Sequence, residues 1–421
     1  MAPDPVADAV AETVVDVLPG TSVDLRYEPD DDAPQQRRLA VDVSLSTHLT
    51  SLVDEGVTSL KDMVDALAQA ATRVAARYRR LDAPPARRLE APLRRAIRDD
   101  IAADVLGQYL SARTGERPPQ QLIGDTIDYL VELSGTRVES HDLTHGVLVA
   151  DVFDDEPRLE FRYPDDIREA KRAPLLFDGQ RSVLVVDTHG RARTELQRHQ
   201  IEKRSRDSLD SGALVAGATR EHDGLGFFLR ADRTLWTYVG GHPLLVRRAE
   251  HWTAFPLSLT ASVTRMIGAR DDAVAQTVVR AAFAISAQPR GAILAIVDDP
   301  DRVDAVVPAK DRYDRRGELD RAAMRPETRL HHLIAADDLD ERTLVRLAEL
   351  DGATVLDRDG NLVAYGAIVT TSDSEHEGAR TAAARTLSDH ALVVLKVSVD
   401  GDITVFKQGR AVTTLLGRTA G

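Results

Sequence analysis

Two short motifs in the C-terminal third combine residue types that bind metal ions and phosphate. The first is Asp351-Gly352-Ala353, where a predicted helix passes into a predicted strand. Glycine at such a junction lets a ligand approach the backbone closely. The adjacent carboxylate can bind a hard cation or accept a hydrogen bond from a hydroxyl group. By itself, an Asp-Gly pair is also typical of an ordinary turn.

The second motif is Gly378-Ala379-Arg380-Thr381, which opens a predicted helix. Free backbone N–H groups at a helix start, together with a guanidinium and a hydroxyl, form a plausible cradle for an anion. A glycine before a helix is equally compatible with a simple boundary. Lys396 interrupts an apolar strand further along the chain, and its side chain can either face phosphate or extend to a sheet edge.

The elements around these motifs predict a mixed α/β sheet layered by helices. Ala292–Val297 and Ala391–Ser398 are continuous apolar runs, as in buried strands. Asp357–Gly360 is a hairpin turn between two further strands. Helices are predicted after caps at Asp271, Asp272 and Asp340, and again over 379–387.

Changes in composition and in hydrophobic pattern along the chain predict three domains. Residues 1–115 read as a short apolar start and a loop followed by helices, and residues 116–260 as a β-rich regulatory domain containing Trp236 and Trp252. Residues 261–421 contain both motifs. We expect an α/β protein in which a mostly helical N-terminal segment and a β-rich middle precede this domain.

Composition excludes several function classes. The 421 residues include 54 basic and 68 acidic side chains, and the net charge of −14 argues against attraction of the whole molecule to nucleic acid or an anionic membrane, while it leaves a local basic site open. The absence of cysteine excludes disulfides, thiolate metal sites and cysteine nucleophiles. No run approaches the roughly 18 apolar residues of a membrane span, and Asp4 and Asp8 do not fit a secretory signal. We therefore expect a cytoplasmic protein.

From Asp271 to Gly409 the order of motifs resembles the diadenylate cyclase domain, also called the DAC or DisA-N domain. The family's Gly-Ala strand is matched by residues 290–296, and its Asp-Gly-Ala hairpin by residues 350–364. Residues 378–388 stand where the family has Gly-Thr-Arg-His-Arg at a helix start followed by a serine. The last two strands are matched by 391–398 and 403–409.

The resemblance implies that two such domains face each other in a homo-oligomer, each holding one ATP, and that Mg²⁺ or Mn²⁺ is the cofactor. Each ATP 3′-hydroxyl would attack the α-phosphorus of the other ATP, giving cyclic di-AMP and two pyrophosphates. Asp351 would be the metal ligand, and Asp351 and Arg380 the catalytic residues. The nucleotide-binding residues implied are Gly352, Ala353, Gly378, Ala379, Arg380, Thr381 and Ser398.

The chain departs from the family at the Arg-His-Arg triplet, which is Arg380-Thr381-Ala382 here. Loss of one phosphate donor can cost about 3 kcal/mol of transition-state stabilisation. Arg385, one turn further along, is a candidate replacement, whereas His376 is interpreted as a solvated loop residue. Three functions remain open: a diadenylate cyclase controlled by residues 1–260, a catalytically degenerate module that binds an adenine nucleotide for signalling, and a globular protein in which the DAC-like half is only a scaffold.

Overall fold

The chain folds into two compact units, residues 1–255 and 256–421. The computed structural model describes residues 4–18, 20–29, 37–46, 50, 58–79, 91–115, 120–138, 141–151, 161–170, 172–201, 212–231, 233–254, 263–268, 273–286, 290–317, 329–334, 339, 341–371, 378–399 and 402–415. The predicted caps Asp271, Asp272 and Asp340 and the loop residue His376 lie outside these ranges. Within them, no helix has both the length and the apolar character needed to cross a membrane.

The N-terminal unit begins with helix α1 (Pro5–Val17), whose first turn is capped by the Asp4 carboxylate. An antiparallel ribbon follows, formed by β1 (Thr21–Pro29) and β2 (Arg37–Leu45). The interpretation of residues 1–40 as an apolar start and a loop missed this ribbon. Over residues 21–27 of β1 only alternate residues are partly shielded from solvent, so its apolar content is low, and its pairing partner begins only at Arg37.

Three helices and a short ribbon come next. Their bounds are α2 (Thr58–Arg79), α3 (Ala91–Thr114), α4 (Gln120–Ser134), β3 (Arg137–Val138) and β4 (His141–Asp142). The three- and four-residue spacing in α2 places Leu60, Leu67 and Val74 in the core, each at most 2% exposed. The helical character predicted for this segment is therefore confirmed.

A mixed sheet fills the rest of this unit. Its described strands are β5 (His145–Val149), β6 (Phe161–Arg162), β7 (Ser182–Val186), β8 (Arg191–Gln197), β9 (Leu225–Leu229), β10 (Leu235–Val239), β11 (His242–Arg248) and β12 (His251–Ala254). Helices α5 (Asp165–Glu169), α6 (Ala173–Leu176) and α7 (Ala213–Glu221) connect them. The strand order is β12-β11-β10-β9-β5-β7-β8-β6, in which only β5 and β7 are parallel. Residues of the N-terminal helices and of this sheet share one hydrophobic core.

The C-terminal unit is a second mixed sheet with helices. In chain order its elements are α8 (Ala273–Ser286), β13 (Ala292–Val297), α9 (Glu341–Ala348), β14 (Ala353–Asp357), β15 (Leu362–Ala367), α10 (Ala379–Ser388), β16 (Val393–Val397), β17 (Ile403–Lys407) and β18 (Arg410–Leu415). The described strands pair in the order β15-β14-β13-β16-β17-β18. Strands β13 and β14 are parallel, whereas β16 runs antiparallel to β13.

Burial in this sheet explains why its strands could be predicted. Every residue of β13 is buried, because helices cover both faces of the sheet. Helix α10 packs Ala384 and Leu387 against Ile293, Ala295 and Phe406. The predicted α/β class, with a helical start and a β-rich middle, is confirmed.

Candidate functional site

Strand pairing brings both sequence motifs to one edge of the C-terminal sheet. Because β13 and β14 are parallel, their starts are adjacent, with Ile293 opposite Ala353. Because β16 is antiparallel to β13, its end reaches the same edge, where Ala292 is opposite Val397. This edge, which we call the motif edge, comprises the starts of β13, β14 and α10 and the end of β16.

The Asp351-Gly352-Ala353 motif forms the entry to β14. Gly352 has φ +112°, and a Cβ atom there would stand 2.5 Å from the carbonyl carbon of Gly366 on the neighbouring strand. Only glycine fits this close backbone approach. Ala353 is fully buried, whereas Asp351 is exposed. The motif therefore places a solvent-facing carboxylate on a rigid strand start.

The second motif forms the start of α10. Gly378 is the N-cap and supplies no side chain to the first amides of the helix. The Arg380 side chain lies across the backbone of Gly291, since a Cβ atom at Gly291 would stand 2.8 Å from Arg380 Nη1 and 3.1 Å from the Val397 carbonyl oxygen. A glycine before β13 thus makes room for the guanidinium at the motif edge.

Lys396 reaches the same helix from the sheet. Its Nζ donates a hydrogen bond of 3.1 Å to Thr381 Oγ1. Its side chain is therefore directed to the start of α10. Lys396 and Arg380 therefore bring two cations to the first turn of this helix.

The other candidate residues named from the sequence differ in burial and in hydrogen bonding. The Ser398 Oγ accepts a hydrogen bond of 3.0 Å from the Asp402 amide, and so closes the turn before β17. Ala382, the third residue of the altered triplet, is 5% exposed and belongs to the buried face of α10. Arg385 is exposed on the next turn. Ala379 is exposed at the first helical position.

One ion pair that the sequence analysis missed joins the two strand starts. Arg290 Nη1 lies 2.7 Å from Glu349 Oε2, and these residues directly precede Gly291 and the Leu350-Asp351 pair. The pair links the entries to β13 and β14 through side chains 59 positions apart. Its two members are ordinary charged residues in sequence, and only the parallel pairing of the strands indicates their proximity.

The oxygen ligands at the motif edge can be compared with those that a divalent metal ion requires. No cluster of three or more His, Asp or Glu side chains suited to a metal occurs within the described ranges. Asp351 forms no ion pair with any described residue, so its oxygens are available as ligands. Mg²⁺ commonly takes one or two protein carboxylates and completes its shell with substrate phosphates and water. A single exposed Asp351 fits that mode.

No family model matches the chain, and no curated protein matches it. A search of solved structures finds weak similarities that cover part of the chain, and two of them are as follows. A hypothetical membrane-spanning protein from Bacillus cereus aligns with 17% identity over 38% of this chain and 72% of its own, with a TM-score of 0.28. A double mutant of DacA from Staphylococcus aureus aligns with 17% identity over 37% of this chain and 88% of its own, with a TM-score of 0.23. At these low scores neither similarity assigns an activity.

Proposed function

We propose that the C-terminal unit binds ATP at the motif edge and joins two ATP molecules into a cyclic dinucleotide, as its resemblance to diadenylate cyclases implies. The observation that carries this proposal is the convergence of the two motifs. Asp351 and Arg380 are 29 positions apart in sequence, yet Asp351 precedes the strand paired with β13 and Arg380 lies against Gly291 at the start of β13. A carboxylate and a guanidinium so placed suit a metal-bound polyphosphate.

The residues of the motif edge would have different roles in binding the metal, the nucleotide and the phosphates. Asp351 would hold Mg²⁺ or Mn²⁺, which on binding neutralises phosphate charge and supports ionisation of the attacking hydroxyl. The backbone at Gly352 and Ala353 would line the nucleotide, and Arg380 would bind phosphate oxygens from the start of α10. Catalysis of phosphoryl transfer consists largely of positioning and charge stabilisation, which fixed strand and helix starts can provide.

The proposed reaction balances with ATP alone. The 3′-oxygen of each ATP forms a bond to the α-phosphorus of the other, and each bond from the α-phosphorus to the bridging oxygen of pyrophosphate breaks. The two hydroxyl protons leave to solvent. Because one ATP must face another, the proposal requires two copies of the domain face to face, as the resemblance implies.

The direct test is incubation of the full chain with ATP and either Mg²⁺ or Mn²⁺, with products identified by mass spectrometry. We expect cyclic di-AMP and pyrophosphate in a ratio of one to two. A chain that binds ATP in calorimetry but forms no dinucleotide with either metal would rule out the cyclase.

A nucleotide-binding signalling module is the second candidate, and the altered triplet favours it. Thr381 and Ala382 replace two phosphate donors of the family, and Ala382 is buried in the face of α10 that packs on the sheet. Binding of ATP, ADP or cyclic di-AMP without turnover would identify this function. The absence of binding at millimolar concentrations would count against both candidates.

A further inference from the structure

Lys396 occupies an unusual position for a lysine. It lies on β16 between Leu395 and Val397, which are both fully buried, and its cross-strand partners are Ile293 and Thr404. The side chain is half-buried, and it extends over the sheet until its ammonium meets Thr381 Oγ1. A neutral hydroxyl compensates little of the cost of partly desolvating an ammonium group. The position therefore needs a further reason.

The charges around Lys396 supply that reason. Neither Lys396 nor Arg380 forms an ion pair with any described residue. By contrast, Arg290 pairs with Glu349 at the same edge, and Arg358 pairs with Asp298 elsewhere in the unit. In a protein of net charge −14, two unpaired cations at one helix turn form a local positive site that suits an anion.

We propose that Lys396 is a second phosphate-binding cation of this site, with Thr381 positioning its ammonium. The inference rests on the proposed function and names the part of the ligand that Lys396 recognises, a polyphosphate chain. Arg380 approaches from the helix and Lys396 from the sheet, so the chain would lie between a planar guanidinium and a compact ammonium. The positive charge absent from the triplet positions 381 and 382 is thus supplied by a residue of the neighbouring strand.

The experiment compares three ligands by calorimetry on the full chain: ATP, inorganic tripolyphosphate and adenosine. Lys396→Met should weaken ATP and tripolyphosphate binding at least tenfold and leave adenosine binding unchanged. Lys407→Met is the matched control, because Lys407 is also half-buried, lies on the adjacent β17 and faces the opposite side of the sheet. It should bind all three ligands as the parent does.

Conservative variants separate charge from packing. Lys396→Arg keeps the charge and should retain most of the tripolyphosphate affinity, whereas Lys396→Gln should lose as much as Lys396→Met. The glutamine variant also serves if the methionine variant does not fold. Thr381→Val should give a smaller loss, since it removes only the positioning hydrogen bond.

The outcomes distinguish this inference from the proposed function. If the parent binds tripolyphosphate but not ATP, and Lys396→Met loses that binding, the nucleotide proposal fails and the role of Lys396 stands. If ATP binding is equal in the parent and in both uncharged variants, the role of Lys396 is refuted while the nucleotide site stands. A parent that binds neither anion overturns both.

Discussion

At the scale of single residues, the charged side chains of the C-terminal unit differ in whether they form ion pairs. Those with a partner stabilise the fold, whereas those without one are available to a ligand. Arg312 is fully buried and neutralised by Asp304 and Asp314. Asp351 and Arg380, in contrast, are exposed and form no ion pair with a described residue. Charged groups that are rigidly placed yet unpaired are available for binding, and both lie at the motif edge.

The first prediction concerns Asp351. Replacement by asparagine keeps the shape of the side chain and removes the charge that holds a divalent metal. If the chain is a cyclase, Asp351→Asn should abolish dinucleotide synthesis without lowering the melting temperature. Asp359→Asn, an exposed change in the turn between β14 and β15, should leave synthesis intact. Equal turnover in Asp351→Asn and the parent would remove Asp351 from the mechanism.

The second prediction concerns Arg380. A guanidinium forms charge-assisted hydrogen bonds with phosphate and is not required by a ribose or a base. Arg380→Ala should therefore weaken ATP binding at least tenfold and change adenosine binding little, as measured by calorimetry. Arg358→Ala removes an exposed arginine that pairs with Asp298, and it should bind ATP as the parent does. A proportional loss for ATP and adenosine would indicate distortion of the site instead of a lost phosphate contact.

At the scale of elements, two ion-pair arrangements hold segments against the C-terminal sheet. Arg290 and Glu349 connect the entries to β13 and β14. The backbone of Arg312 forms an isolated antiparallel β-bridge with Ala364 of β15. Beside it, the Tyr313 amide donates a hydrogen bond of 2.8 Å to the Val363 carbonyl. The Arg312 guanidinium donates to both carboxylate oxygens of Asp314 at 2.9 and 2.6 Å. This buried arginine fixes the loop after β13 to the sheet.

The third prediction follows from that arrangement. Arg312→Met removes the buried guanidinium that neutralises Asp314 and that shares Asp304 with Arg315. Because both carboxylates keep contact with solvent, the cost should be below that of leaving a fully buried charge unpaired, at about 2 kcal/mol. We expect a loss of that order in the free energy of unfolding, measured by urea denaturation. Arg315→Met removes a more exposed arginine that pairs with Asp301 and Asp304, and it should have a much smaller effect because solvent screens such pairs. Equal losses of unfolding free energy in the two variants would show that the contribution of Arg312 to stability does not depend on its burial.

At the scale of the whole molecule, each unit has its own sheet and helices, and the N-terminal unit contains an unusual buried histidine. His145 is fully buried on β5, and Tyr129 from α4 and Phe177 pack edge-on against its ring. Within the described residues, neither ring nitrogen forms a hydrogen bond of good geometry, although the Pro174 and Phe177 carbonyls lie near the ring. Burial lowers the pKa of His145 to about 4, against the opposing effects of the Pro174 and Phe177 carbonyls and of Asp178.

The fourth prediction is an acid dependence of stability. A lowered folded-state pKa means that the unfolded chain takes up the proton first, near pH 6.5, so stability is fully present above that value and falls as the pH drops towards 4. The loss should be about 3 kcal/mol in the free energy of unfolding. His145→Phe should reduce this slope, measured by urea denaturation between pH 7 and 4.

The matched control for this prediction is Tyr129→Phe. It alters the same cluster, but burial raises the pKa of Tyr129 well above this pH range, so the parent slope should persist. An unchanged slope in His145→Phe would assign the acid dependence to other groups.

Several secondary-structure elements and the fold class could be predicted from the sequence alone, because they depend on local residue patterns. Buried strands such as Ala292–Val297 are continuous apolar runs, α2 repeats apolar residues at helical spacing, and Asp357–Gly360 has the composition of a turn. These features predicted the α/β class and the elements that contain both motifs. The ribbon of β1 and β2 was not predicted, because its strands are separated in sequence by residues 30–36 and its alternate residues are only partly buried.

Only the tertiary structure decided which of these elements meet. The sequence placed Asp351 and Arg380 in separate motifs, and the order of strands brought them to one edge. A strand pattern of period two shows that Lys396 faces away from Leu395, but not which helix covers that face. The contact with Thr381 and the pairing of Arg290 with Glu349 arise from strand order and direction. These are set by long-range packing, which no local pattern encodes.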